Sequence, residues 1–68
     1  MALTARETEV LRLLAEGLRD KVIAERLGIE FSTVRTHLES IYEKLGVDGR
    51  SGAVAWACQH GLGPQVVA

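Results

Sequence analysis

Sixty-eight residues with a formal net charge of −1 restrict this chain to one small domain, and 47% hydrophobic with 25% charged residues puts it near globular averages rather than among disordered compositions. One cysteine excludes an internal disulfide, and so small a core leaves no room for a deep catalytic cleft. No apolar run approaches the roughly 18 residues of a membrane span and no signal-peptide pattern opens the chain, so the expectation is a cytoplasmic module without a cofactor.

Proline occurs once, at Pro64, and Gly17, Gly28, Gly46 and Gly61 punctuate four stretches of helical periodicity. The pattern predicts an all-α fold, a compact four-helix domain with helices over about residues 5–16, 20–27, 32–45 and 50–60. The first helix is announced by Thr4-Ala5-Arg6-Glu7, a capping box in which hydroxyl and carboxylate each satisfy one orphan amide. Leu3, Val10, Leu11, Leu14 and Leu18 then fall within roughly 100° of arc, and Gly17 suits the turn that follows. Asp20 is the expected cap of the second helix, which turns Ile23, Ala24 and Leu27 to one side before Gly28.

The third helix is expected to start after a Ser32 cap. Val34, Leu38, Ile41 and Leu45 form its core stripe, while Ser32, Arg35, Thr36, Glu39 and Glu43 take the opposite face. In the fourth helix, capped by Asp48 or Ser51, Val54, Cys58 and Gly61 are read as the inner side. Trp56 is then placed roughly 160–200° away from that side. The tail after Leu62 is expected to be loose.

The spacing of Ala24, Gly28 and Val34 bears on function. Two helices cross steeply over a short turn only where a small residue sits at their contact. Ala24 provides that residue, Gly28 the turn, and Val34 the lock between helices two and three. This is the geometry of a helix-turn-helix, whose second helix enters a DNA major groove.

The residues also carry a resemblance. Leu3-Thr4-Ala5-Arg6-Glu7-Thr8-Glu9-Val10-Leu11 resembles the "LTxREREVL" opening of LuxR-type (NarL/FixJ) DNA-binding domains. Gly17-Leu18, Lys21, Ile23-Ala24, Leu27, Thr33-Val34-Arg35, His37, Ile41, Lys44-Leu45-Gly46-Val47, Arg50 and Ala53-Val54 continue it in order. The resemblance spans essentially all of residues 1–68 and implies a transcription regulator, usually the C-terminal output domain of a longer protein with a receiver or ligand-sensing domain. Region 4 of sigma factors is the near alternative, since it shares a similar opening and a "TVR" recognition helix. The Lys44-Leu45-Gly46-Val47…Arg50 junction and a fourth helix favour the LuxR type.

On this reading Arg35, Thr36 and Glu39 are candidates for base contact, and Lys21, Ser32, Thr33, His37, Lys44 and Arg50 for phosphate. Arg50 is equally suited to bridging helices three and four. Gly52, Ala55, Trp56 and Gln59 form a flat patch with an aromatic anchor, expected to pair two copies through helix four. The expected partners are double-stranded DNA, a second copy of the chain and RNA polymerase, with no membrane and no small-molecule ligand. His37 has no Cys or Asp at ligand spacing, and Cys58 and His60 face different ways on their helix, so neither a metal site nor a catalytic dyad is expected.

The sequence departs from the family pattern at two places. Glu39 takes a groove-facing position where a basic or amide side chain would suit DNA better, either accepting from a cytosine amino group or pairing with Arg35 one turn earlier. Arg19-Asp20-Lys21-Val22 replaces a Ser-Asn-Lys-Glu-like stretch and leaves Val22 exposed. Near the expected DNA face, Arg19, Lys21, Arg35, Lys44 and Arg50 outnumber Asp20, Glu39 and Glu43, so the global charge does not oppose DNA. An acidic helix-turn-helix kept for protein interaction is the second functional reading.

Overall fold

A computed structural model describes residues 2–63, which form α1 (Ala5–Ala15), α2 (Asp20–Leu27), α3 (Phe31–Leu45) and α4 (Arg50–Gln59). The expected tail beyond Gly63 lies outside the described residues. Helix α1 is the hub, packing on α2, α3 and α4, while α3 also packs on α2 and α4. The apolar stripes read from the sequence meet here: Val10, Leu11, Leu14, Ile23, Val34 and Ile41 are fully buried, and Leu38 nearly so. Leu3, Leu18, Leu27 and Leu45 are half-buried at the margin of that core.

The helices start where expected, α3 one residue early, but the capping residue differs from expectation in three of four cases. The Thr4 cap forms as read: its hydroxyl accepts from the Glu7 amide at 3.1 Å, and Glu7 accepts from the Thr4 amide at 2.9 Å. Asp20 does not cap α2; Arg19 occupies the cap position without a side-chain bond, and Asp20 begins the helix. Ser32 does not cap α3 either. The helix starts one residue earlier, at Phe31, and the cap residue Glu30 contributes no side-chain bond. Its carbonyl accepts from the Thr33 and Val34 amides, so burying Val34 fixes where the helix begins, ahead of the local preference of serine for caps. Helix α4 starts after Gly49, and neither Asp48 nor Ser51 caps it.

The phase of α4 is the other correction. Ala53 and Ala57 are its fully buried residues, Val54 is half-buried, and Cys58 and Gly61 are exposed. Small side chains let α4 approach α1 closely, and that contact outweighs burial of the larger Val54. Between α2 and α3, Gly28 adopts φ 66° and ψ 37°, a left-handed conformation that a side chain would strain. Ala24 and Val34 are both buried there, as the helix-turn-helix geometry requires.

Candidate nucleic-acid interface

Helix α3 is two-sided. Val34, Leu38 and Ile41 are buried, while Arg35, Thr36 and Glu39 are exposed. The alternative pairing of Arg35 with Glu39 does not form: the ion pairs among the described residues are Arg6–Glu9, Lys44–Glu7 and Arg50–Asp20. Both charged groups are therefore free to meet a partner. Thr36 is committed differently. Its hydroxyl donates to the Ser32 carbonyl at 3.1 Å, which uses its one donor and leaves the γ-methyl and the oxygen's acceptor side open.

The candidate phosphate contacts divide into free and engaged groups. Lys21 is exposed in the first turn of α2 and Ser32 in the first turn of α3, with Thr33 and His37 half-buried beside them. Lys44 is engaged: its ammonium donates to Glu7 at 2.7 Å, with its side chain 19% exposed. Ser40 donates to the other Glu7 oxygen at 2.7 Å, so one carboxylate, 4% exposed, closes the α1 cap and ties α1 to α3. These donors, Lys44 first, then the Thr4 amide and Ser40, hold the Glu7 carboxyl well below its ordinary 4.5, at about 2, although burial opposes them.

Arg50 bridges α4 to the start of α2, not to α3. It donates to Asp20 at 3.1 Å and to the Leu18 carbonyl, and keeps its side chain 42% exposed. Asp20, displaced from the cap role, serves as this acceptor. Burial pushes the phenol of half-buried Tyr42 up, and the Asp20 charge adds to the shift.

The candidate pairing patch on α4 is only partly open. Ala55 and Gln59 are exposed, but Gly52 turns toward Val47, where an added Cβ would lie 2.9 Å from the Val47 Cβ. Trp56 is not set apart from the core. Because the inner side runs through Ala53 and Ala57, the indole flanks it, packs against the core and stacks on His60 at 3.8 Å between ring centroids. His60 Nδ1 also lies 2.8 Å from the Trp56 carbonyl.

Phe31 escaped the sequence reading altogether. It is the first residue of α3 and 49% exposed, the largest exposure of a big apolar side chain among the described residues. The signal was present in its position four residues before Arg35, on the same helical face. Taking Ser32 as the cap hid it by placing Phe31 outside the helix. Val22 is exposed as expected, and nothing in the structure explains it.

A helix-turn-helix with one free polar face narrows the fold but not the family. The family model for "Bacterial regulatory proteins, luxR family" matches residues 1–57. The chain belongs to the luxR family of bacterial regulatory proteins. It is a DNA-binding domain of luxR-family transcription regulators. The transcriptional regulatory protein YdfI of Bacillus subtilis is 47% identical over 60 residues, 88% of this chain and 28% of that protein. Response regulator ChrA of a heme-sensing two-component system superposes with a TM-score of 0.83 at 48% identity, covering 91% of this chain and 31% of its own. The VqmA–ligand–DNA complex of Vibrio cholerae gives a TM-score of 0.86 at 33% identity, over 97% of this chain and 29% of that chain. This luxR-family domain thus spans less than a third of the length of each of these proteins.

Proposed function

We propose that this luxR-family domain recognises a specific DNA sequence as the output module of a longer regulator, two copies binding two half-sites. The observation that carries the reading is the α3 face itself, where Arg35, Thr36 and Glu39 stand exposed opposite a fully buried stripe and without ion-pair partners. Helix α3 enters the major groove, Arg35 donates to a guanine edge, and Glu39 accepts from a cytosine amino group. Lys21, Ser32, Thr33 and His37 hold flanking phosphates. The open side of the Arg50 guanidinium adds a further contact, and Lys44, engaged by Glu7, leaves the phosphate set.

Pairing through α4 uses Ala55 and Gln59 with the exposed edge of Trp56. Gly52 contributes by its close approach to Val47 rather than by direct contact. That VqmA is described both as a dimer and in complex with DNA supports paired binding by a domain of this fold. Work at a promoter places the domain in the cytoplasm, within reach of RNA polymerase. The domain carries out no catalysis in this role.

The second reading, a protein-interaction module, draws on the exposed carboxylates of Glu39 and Glu43 along the same face. A salt titration separates the two. A domain that neutralises several phosphates loses DNA affinity steeply between low and moderate salt, with a slope near −0.9 per phosphate contact. No binding to any genomic fragment at low salt would favour the interaction module instead.

A further inference from the structure

The proposed contacts leave Phe31 without a role. It lies in the first turn of α3, the end of a recognition helix that goes deepest into a major groove. It is 49% exposed, whereas the other two aromatic side chains, Tyr42 and Trp56, pack against the core. Four residues on, Arg35 shares its face at about 40° of helical rotation, so a large apolar surface abuts the cation proposed to read guanine. About half of this side chain stays open to solvent, and burying that apolar surface against a methyl group is favourable.

Thr36 makes a second surface of the same chemistry. With its hydroxyl given to the Ser32 carbonyl, it offers its γ-methyl rather than a donor. In the major groove one base presents an apolar group, the C5-methyl of thymine, and Phe and the Thr methyl are side chains suited to contact it.

We propose that α3 selects thymines by their C5-methyl groups, through the Phe31 ring and the Thr36 γ-methyl on either side of Arg35. The half-site then contains at least one thymine on each side of the guanine read by Arg35, and removing either methyl costs affinity at that base alone. This rests on the DNA-binding function proposed above.

The test starts with a duplex selected by the 68-residue chain from a random pool. Each thymine is then replaced singly by deoxyuridine, which lacks only the methyl group, and affinities are measured for wild type, Phe31→Ala and Thr36→Ser. Wild type should lose about three- to fivefold at one position for each side chain, the worth of one buried methyl. Phe31→Ala should bind the thymine and uracil forms equally at one of these positions and keep the loss at the other. Thr36→Ser, which retains the hydroxyl bonded to Ser32, should show the reverse.

Thermal melting confirms that each variant is folded, as expected for substitutions at exposed positions. Wild-type indifference to every thymine-to-uracil change, selected sites without thymine, or unchanged sensitivity in both variants overturns the proposal. If these occur with steep salt dependence and a clear preference over random DNA, the methyl reading alone fails. If no duplex is preferred and none is bound at low salt, the DNA-binding function fails and takes this proposal with it.

Discussion

Replacing Glu7 by glutamine should remove a charge while preserving nearly every bond around it. In the wild type one carboxylate oxygen accepts from the Thr4 amide and the Lys44 ammonium, and the other from the Ser40 hydroxyl. A glutamine oxygen can keep the first two, and its amide can donate to Ser40 after the hydroxyl rotates. What is lost is the ionic character of the Lys44 contact. Lowering the carboxyl from 4.5 to about 2 corresponds to about 3 kcal/mol in favour of the ionised folded form. Solvent reaching the Lys44 side of the pair reduces this, so Glu7→Gln should cost about 2 kcal/mol at pH 6. For a domain of this size that is a fall in Tm of roughly 10 °C.

The pH dependence makes the prediction specific. Between pH 4.5 and 2 the unfolded chain binds a proton at residue 7 that the folded chain excludes. The contribution is therefore complete above about 4.5, falls as the pH drops, and is gone below about 2. The other carboxylates titrate in both proteins and cancel in the difference. Urea unfolding of wild type and Glu7→Gln from pH 2 to 7 should give stabilities that differ by about 2 kcal/mol at pH 6 and converge at pH 2. A difference that stays constant across the range would refute the reasoning, because it would mean that shape and packing, not the Lys44 charge, set the cost.

Arg35→Ala should weaken binding to the selected half-site by about 1–3 kcal/mol and to random DNA far less. Equal losses on both would make Arg35 a phosphate anchor. Trp56→Ala is a poor test of pairing because the indole packs on the core, so Ala55→Glu is the better probe. Sedimentation on a two-half-site duplex should show loss of paired binding with an unchanged melting temperature, whereas undiminished pairing would move the interface off α4. Gly52→Ala should destabilise by about 1–2 kcal/mol despite the better helix propensity of alanine, because its Cβ would press on Val47. Adding Val47→Gly, which removes the Cβ it would press on, should recover part of that loss in a double-mutant cycle, and additive losses would show that the two residues do not collide.

The features legible in the sequence were those fixed by nearest neighbours along the chain. The Thr4–Glu7 box needs only a spacing of three, and the stripes of α1 and α3 only the helical period, so both were read correctly. Gly28 was legible because the reversal between α2 and α3 demands a left-handed residue. The Ser40 and Lys44 bonds to Glu7 span 33 and 37 residues, and no local rule contains them. Helix α4 failed for a different reason. Residues 53–58 are apolar without a break, so their period has no phase, and close contact with α1 chose the two alanines. At the site, the Arg35, Thr36 and Glu39 face followed from the stripe opposite it, but Phe31 depended on a helix start set by tertiary packing.

The Arg50 bridge bears on the entropy of binding rather than its enthalpy. Its Asp20 and Leu18 bonds use one donor on each terminal nitrogen, so three of the five guanidinium N–H groups remain available. A phosphate arriving there would meet a side chain already held in one rotamer. It would forgo much of the roughly 0.5–1.5 kcal/mol of ordering that an unanchored side chain such as Lys21 incurs. The same guanidinium that positions the start of α2 would thus offer a phosphate a side chain already held in place, at a lower ordering cost than exposed Lys21.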